Sequence, residues 1–268
     1  MSCPQPAGHV WVVGLGPGAA AWRTPEVDQL LRRATDLVGY QTYLDMVEPG
    51  PPGQRRHPSD NRQEAGRAAA ALDLAAGGRS VAVVSSGDPG VFAMAAAVME
   101  QLARADAPPA WADVEVTVAP GITAAQAAAA RAGAPLGHDF AVVSLSDNLK
   151  PWPVVERRLE AAAGADFVLA LYNPVSRHRP WQLRRALEIV GRHRSGATPV
   201  VVGRDVGRPA EDVRVVGLAE LDVSLVDMRT VLVIGSTTTT VVRRPGRAAQ
   251  VYTPRSYPAD RGSPSDAG

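Results

Sequence analysis

The residues most able to do chemistry sit in five short glycine- and proline-bearing loops. These are Gly14-Leu-Gly-Pro-Gly18, Ser86-Gly-Asp-Pro-Gly90, Pro120-Gly-Ile-Thr-Ala124, Tyr172-Asn-Pro174 and Gly203-Arg-Asp-Val-Gly-Arg-Pro209. Glycine lets a backbone approach a ligand closely or turn with positive φ. Asp88 offers a short carboxylate suited to ligand hydroxyls or a positive centre; the same residue reads equally as an Asx turn or as the N-cap of the next helix. Thr123 stands where a helix should start, so it caps, and a capping residue can still present backbone groups to a ligand. The first loop partly imitates a dinucleotide fingerprint. Pro17 intervenes, position 19 is Ala, and the next helix signal, Thr24-Pro25, comes late, so a nicotinamide site is not indicated and a tight strand-to-helix turn remains the alternative.

Other chemistries lack their residues. His9, His57, His138, His178 and His193 are scattered, with no pair at zinc spacing, so no metal site is expected. There is no Gly-x-Ser-x-Gly elbow for acyl transfer and no Gly-Lys-Ser/Thr loop for nucleotide hydrolysis. Cys3 is the single cysteine, which rules out an internal disulfide and fits a reducing, cytoplasmic location. The start lacks a basic signal-peptide region, and the apolar run Val10–Leu15 is too short to span a bilayer. The net charge is +1, which gives no bulk attraction to nucleic acid or to an acidic membrane. Lys150 is the only lysine, so the basic side chains are nearly all arginines, whose planar fork suits carboxylates.

Alternating strands and helices must position these loops. His9–Gly14, Asp36–Gly39, Arg79–Ser85 and Val114–Val118 read as strands, and Pro25–Ala34, Gln63–Ala76 and Val91–Arg104 as helices, with residues 48–62 an irregular connection. That order predicts a mainly parallel sheet with helices on its faces, and in such sheets ligands bind outside the carboxyl ends of the strands. After Pro120-Gly121 a second α/β half follows. Its helices are Thr123–Ala132, Trp152–Ala163 and Trp181–His193, and its strands are Ala141–Leu145, Asp166–Leu171, Pro199–Gly203, Asp212–Gly217 and Thr230–Ile234. Its last strands are close together, so a mixed sheet with antiparallel pairing is expected. The domains are therefore set at residues 1–120 and 121–242, with 243–268 a disordered tail of Arg, Pro, Ser, Gly and Ala.

Taken in order, the five loops resemble the tetrapyrrole (corrin/porphyrin) methylase family over roughly residues 9–242. Val38-Gly-Tyr-Gln-Thr-Tyr-Leu44, Ala134-Pro-Leu-Gly-His-Asp-Phe140, Ser144-Leu-Ser-Asp147 and Trp181-Gln-Leu183 look like its precorrin-3B C17-methyltransferase branch. The resemblance implies two α/β domains with a ligand cleft between them, S-adenosylmethionine as cofactor, a tetrapyrrole substrate and a homodimer. It implies cofactor contacts at Pro17, Gly87, Asp88, Pro89, Phe92, Thr123, Ala124, Asn173 and Gly207, and it turns Gly16 and Gly18 toward the tetrapyrrole. Arg177, Arg179, Arg204 and Arg208 are candidate partners of the substrate carboxylates, the alternative for each being a solvated surface arginine.

Methyl transfer from a sulfonium needs alignment and exclusion of water more than a strong base. The branch also implies contraction of the macrocycle, which moves protons; His138, Asp139 and Asp147 are candidates for that work or for structural roles. Other readings of the same loops are another precorrin or uroporphyrinogen methylase, a diphthine-synthase-like methylase, a ribose methylase, which the absence of a basic face disfavours, and a non-catalytic binding module.

Overall fold

The computed structural model describes residues 8–60, 63–176 and 179–257. The chain divides into two compact units, Met1–Ala127 with Asp205–Pro209, and Ala128–Arg204 with Ala210–Gly268. The first unit thus runs past Pro120-Gly121, where the glycine-proline signal set the boundary, and takes in a loop from much later in the chain. No helix of the described residues is long and apolar enough to cross a membrane.

The first unit contains β1 (His9–Gly14), α1 (Pro25–Arg33), β2 (Asp36–Tyr40), α2 (Gln41–Leu44), β3 (Arg55–Ser59), α3 (Glu64–Ala76), β4 (Ser80–Ser85), α4 (Met94–Leu102) and β5 (Glu115–Ala119). The strands lie in the order β3-β2-β4-β1-β5, all parallel. The apolar runs are continuous because successive side chains point to opposite faces and both faces are covered. Val10, Val12, Val81 and Val83 pack with Leu72 of α3 and Val98 of α4. Trp11, Val13, Ala82 and Val84 pack with Val27, Leu30 and Leu31 of α1. Helix α1 starts as its sequence requires: Thr24 Oγ1 accepts from the Val27 amide at 3.2 Å, and Pro25 occupies the first turn.

Helix α5 (Ala124–Ala132) carries the chain from the first unit into the second. There follow β6 (Gly133–Ala134), β7 (Phe140–Ser144), α6 (Trp152–Gly164), β8 (Val168–Tyr172), α7 (Gln182–Val190), β9 (Pro199–Arg204), β10 (Asp212–Gly217), β11 (Thr230–Ile234), β12 (Thr240–Val242) and β13 (Gln250–Tyr252). The main sheet, β10-β9-β11-β8-β7, is mixed, with β7 and β8 parallel and the remaining pairs antiparallel. Val155 and Leu159 of α6 and Leu183 and Ile189 of α7 close its core against Leu169, Leu171, Leu232 and Ile234.

Two expectations need correction. The stretch read as irregular over residues 48–62 contains β3, whose side chains are exposed or half-buried. An edge strand is defined by backbone pairing on one side and can carry Pro58 and charged residues, so no apolar pattern announces it. Arg56 then ties this edge to the preceding loop, donating to the carbonyls of Leu44, Val47 and Glu48 at 2.7–2.9 Å. The segment read as a disordered tail contains β13, paired with β12 and β6. Val251 and Thr253 are buried, and Thr253 Oγ1 donates to the Pro135 carbonyl at 2.6 Å. Two inward side chains and borrowed backbone partners suffice for so short a strand, and composition does not register them. Residues 258–268 of that segment lie outside the described residues.

At the amino end of β2, Asp36 is fully buried and accepts from Thr35 Oγ1 at 2.7 Å, His57 Nε2 at 2.8 Å and Arg79 Nε at 2.6 Å. Burial alone would raise the carboxyl, but Arg79, His57 and Thr35 outweigh it and hold the group below its ordinary value. A lowered folded pKa stabilises above the unfolded carboxylate range and is lost as pH falls through the folded value. Asp36→Asn is therefore expected to cost about 2 kcal/mol at pH 7, read by urea unfolding, with the cost shrinking only in acid. Equal stability at pH 7 would show that the network contributes nothing.

Candidate active site

In the first unit the carboxyl ends of β4, β1 and β5 lie side by side, and their loops interlock. Gly16 and Gly87 exchange backbone hydrogen bonds, Gly87 N to Gly16 O at 2.7 Å and Gly16 N to Gly87 O at 3.1 Å. Asp88 fixes the third loop to this pair. Its Oδ1 accepts from the Gly90 amide at 2.8 Å and its Oδ2 from the Gly121 amide at 3.1 Å. The Asx-turn reading of Asp88 therefore holds. The N-cap reading does not, since α4 begins at Met94 after Ala93, with no side-chain cap. Each carboxylate oxygen keeps a second lone pair for a ligand donor.

The packing explains the glycines. A Cβ on Gly121 would stand 2.2 Å from the Gly87 carbonyl oxygen and 2.8 Å from that of Gly14. Gly87 has φ +68°, and a Cβ placed there would make only ordinary contacts, with Thr123 Cα at 3.8 Å the nearest. Pro89 is buried beneath the loop, whereas Phe92, also left-handed at φ 54°, is 52% exposed and displays its ring at the edge. Thr123 and Ala124 open α5, the Thr123 carbonyl accepting from Ala127 N at 3.0 Å.

The segment Asp205–Pro209 completes this unit. Gly207 (φ +77°) sits against Pro17, and Arg208 Nε donates to the Pro17 carbonyl at 3.1 Å. Arg208 Nη2 reaches Ser86 Oγ at 3.4 Å, and among the described residues its guanidinium meets no carboxylate. A pocket of about 440 Å³ opens here, lined by Gly18, Ala19, Met46, Gly207, Arg208 and Pro209. A larger groove of about 570 Å³ in the second unit runs along β6 and β13, and its ionisable side chains are Arg244 and Tyr252, with no carboxylate among the lining residues. Tyr43 lies within electrostatic reach of Arg208; burial pushes its phenol up, and Arg208 opposes the shift. Of the expected cofactor residues, Pro17, Gly87, Asp88, Pro89, Phe92, Thr123, Ala124 and Gly207 all fall in this one unit, with Gly16, Gly18 and Arg208.

Asn173 belongs to the second unit, at the carboxyl end of β8. It is left-handed (φ 52°), and its Nδ2 donates to Ser144 Oγ, at the end of neighbouring β7, at 3.0 Å. Arg179 is not a surface fork awaiting substrate. It is buried, and Nη1 holds the carbonyls of Asn173 at 3.0 Å and Leu145 at 3.5 Å. Arg204 is half-buried and paired with Asp227 at 3.0 Å. Arg177 lies outside the described residues.

The three acid–base candidates do not gather. Asp139 precedes β7, where its carbonyl accepts from Val168 N, while Asp147 follows β7. The strand between them sets the two ends about 16 Å apart. His138 accepts from the Asp139 amide at 2.8 Å through Nδ1 and packs edge-on against Tyr257, ring centroids 5.2 Å apart. Both positions suit the amino edge of the sheet and not the carboxyl edge that carries Asn173. Asp147 shares Asn173's edge, and its Oδ2 accepts from Gln182 Nε2 at 3.1 Å. Ser144 and Gln182 were within the branch-like stretches, yet nothing in residue type or spacing marked them as partners of Asn173 and Asp147.

The family model described as "Tetrapyrrole (Corrin/Porphyrin) Methylases" matches residues 9–222. The Mycobacterium tuberculosis cobalamin biosynthesis protein CobIJ is 54% identical over 255 residues, 94% of this chain; the chain spans only 49% of that relative's length. A Sinorhizobium precorrin-3B C(17)-methyltransferase is 51% identical over 250 residues, covering 93% of this chain and 97% of the relative. The crystal structure of the methyltransferase CobJ aligns with a TM-score of 0.85 at 49% identity, over 92% of this chain and all of that one.

The interlocked loops give an unequal pair of glycine substitutions. Gly121→Ala is expected to cost about 3 kcal/mol, because backbone on two sides must move. Gly87→Ala should cost about 1–2 kcal/mol, the left-handed penalty alone. Thermal unfolding of both variants checks the order; equal losses would contradict the close approach at Gly121.

Proposed function

This chain belongs to the tetrapyrrole (corrin/porphyrin) methylase family, and we propose that it transfers a methyl group from S-adenosylmethionine to C17 of precorrin-3B, or of its cobalt-bearing counterpart, with the associated contraction of the ring. The observation that carries the reading is the Sinorhizobium precorrin-3B C(17)-methyltransferase, half identical across nearly the full length of both chains. The loop geometry supports it: backbone and one carboxylate converge at a sheet's carboxyl edge, with an exposed aromatic ring beside them.

S-adenosylmethionine supplies, when bound, a methyl group on a sulfonium that leaves without acid assistance. The residues of this chain have the work of binding and alignment. Asp88 locks two loops through the amides of Gly90 and Gly121, and its remaining lone pairs suit ligand hydroxyls or an ammonium. Phe92 gives an apolar face. Arg208, held by the Pro17 carbonyl and facing the pocket beside Gly18, suits a substrate acetate or propionate. The reading also carries a cytoplasmic homodimer; gel filtration with light scattering tests the dimer.

S-adenosylhomocysteine should bind the purified protein in the micromolar range by calorimetry, and Asp88→Ala should weaken it about tenfold or more, 1.4 kcal/mol per decade. A folded wild-type protein with no affinity, alone or with tetrapyrrole present, would overturn the cofactor assignment. Arg208→Ala should leave that affinity in place and raise KM for the tetrapyrrole roughly tenfold or more. Assays with cobalt-free and cobalt-bearing precorrin-3 substrates separate the two pathways.

A further inference from the structure

The pocket beside Gly18 is lined wholly by residues of the first unit. Arg208 is anchored there at one point, Nε on the Pro17 carbonyl at 3.1 Å. Its outer nitrogen is held loosely: Nη2 stands 3.4 Å from Ser86 Oγ and 4.0 Å from Met46 Sδ. A hydroxyl and a thioether at such distances are weak acceptors for a charged donor. A carboxylate would replace them at a gain, because charge-assisted bonds are shorter and roughly twice as strong as neutral ones.

Met46 brings a second donor to this wall. Its amide closes a turn on the Tyr43 carbonyl at 3.1 Å, and both side chains pack against the core cluster of Leu15, Leu37 and Leu44. Tyr40 meets the Tyr43 ring edge-on, centroids 5.4 Å apart. Arg56, bonded to the carbonyls of Leu44, Val47 and Glu48, ties the same segment to β3. The Tyr43 ring is thus braced from several sides. Its residue is half-buried, and its hydroxyl takes no hydrogen bond among the described residues. The oxygen is not shut away from solvent, so it can donate to a ligand.

Tyr43 also feels a second cation. Arg67 is 6% exposed, and its donors go to neutral groups: Nε to Ser59 Oγ at 2.7 Å, Nη2 to the Asp60 carbonyl at 2.9 Å and Nη1 to Met94 Sδ at 3.2 Å. Among the described residues no carboxylate comes within ion-pair distance of it. Burial pushes its guanidinium down, and Glu64, exposed one turn away on α3, opposes the shift together with Tyr43. A buried charge without an opposite partner is costly, and an anion brought nearby relieves that cost. Burial keeps the Tyr43 phenol protonated against the pull of both arginines, so it remains a donor.

Given a tetrapyrrole substrate, the reading on which the assignment rests, we propose that Arg208 and Tyr43 together hold one of its carboxylates. Arg208 Nη2 donates to one oxygen and the Tyr43 hydroxyl to the other; Ser86 and Met46 are the acceptors that Arg208 uses while this subsite is empty. Arg67 contributes its field without touching the ligand. The group recognised is a free acid on an acetate or propionate arm.

The full chain is assayed for methyl transfer to precorrin-3 substrates, with folding checked by circular dichroism and S-adenosylhomocysteine affinity measured beside each variant. Tyr43→Phe keeps the ring and its packing and removes only the hydroxyl. It should raise KM for the tetrapyrrole about tenfold, with kcat and cofactor affinity little changed. Two donors on one carboxylate are coupled, so Tyr43→Phe combined with Arg208→Ala should raise KM far less than the roughly 100-fold product of independent losses. An unchanged KM in Tyr43→Phe overturns the assignment. So does a fall in kcat at constant KM, which marks a bond made only in the transition state. A full product in the double variant overturns the shared carboxylate. If wild type binds S-adenosylhomocysteine but methylates no tetrapyrrole, the substrate reading fails and the subsite fails with it. An active wild type beside an unaffected Tyr43→Phe fails the subsite alone.

Discussion

The first unit depends on one steric fact: three strand ends come together with no room for a side chain between them. The Gly87 carbonyl occupies the place where a Cβ of residue 121 would stand. Parallel strands make this possible, because their carboxyl ends, and the loops that follow, all emerge along one edge. The Gly16–Gly87 bridge joins two of those loops, and Asp88 draws in the third. The site is thus backbone held by backbone, with one carboxylate as the clamp. Such a surface is preorganised; its groups need not be ordered when a ligand arrives.

The second unit reaches a similar rigidity by different means. Its mixed sheet leaves β7 and β8 as the one parallel pair of neighbours, and the loops after them leave the same carboxyl edge. Side chains do the bracing that glycine contacts do in the first unit. Arg179 lies inside, bonded to carbonyls, and Ser144 joins both loops. Arginines in this protein consequently divide by burial. Arg179 and Arg194 are interior clasps on carbonyl groups, Arg194 reaching those of Ala163, Phe167 and Gly235. Arg208 stands at a pocket with its charge unmatched by any described carboxylate.

Much of this was legible in the sequence where physics is local. Strands buried on both faces announced themselves by continuous apolar runs, and α1 by Thr24-Pro25. The glycine-proline loops announced a ligand edge, and their order pointed to the family. What was illegible depended on partners far away in the chain. β3 and β13 are defined by backbone pairing, which no side-chain pattern encodes. The burial of Arg179 follows from carbonyls at Leu145 and Asn173 that only the fold brings near. His138, Asp139 and Asp147 lie within ten residues of one another, yet a strand parts them; closeness in sequence misled where a β-strand, extended by about 3.3 Å per residue, intervened.

The loop Asp205–Pro209 bears on how the protein is made. The first unit is discontinuous: most of it is synthesised by Ala127, but Gly207 and Arg208 arrive only after the main part of the second unit has left the ribosome. At about 5–20 residues per second, several seconds separate the two events. The pocket beside Gly18 therefore cannot exist on a nascent chain of the first unit alone. Its completion waits for the β9–β10 hairpin, the device that brings the loop into place. Ligand capture is in this way coupled to maturation of the whole polypeptide, and a half-made chain has no finished pocket to occupy.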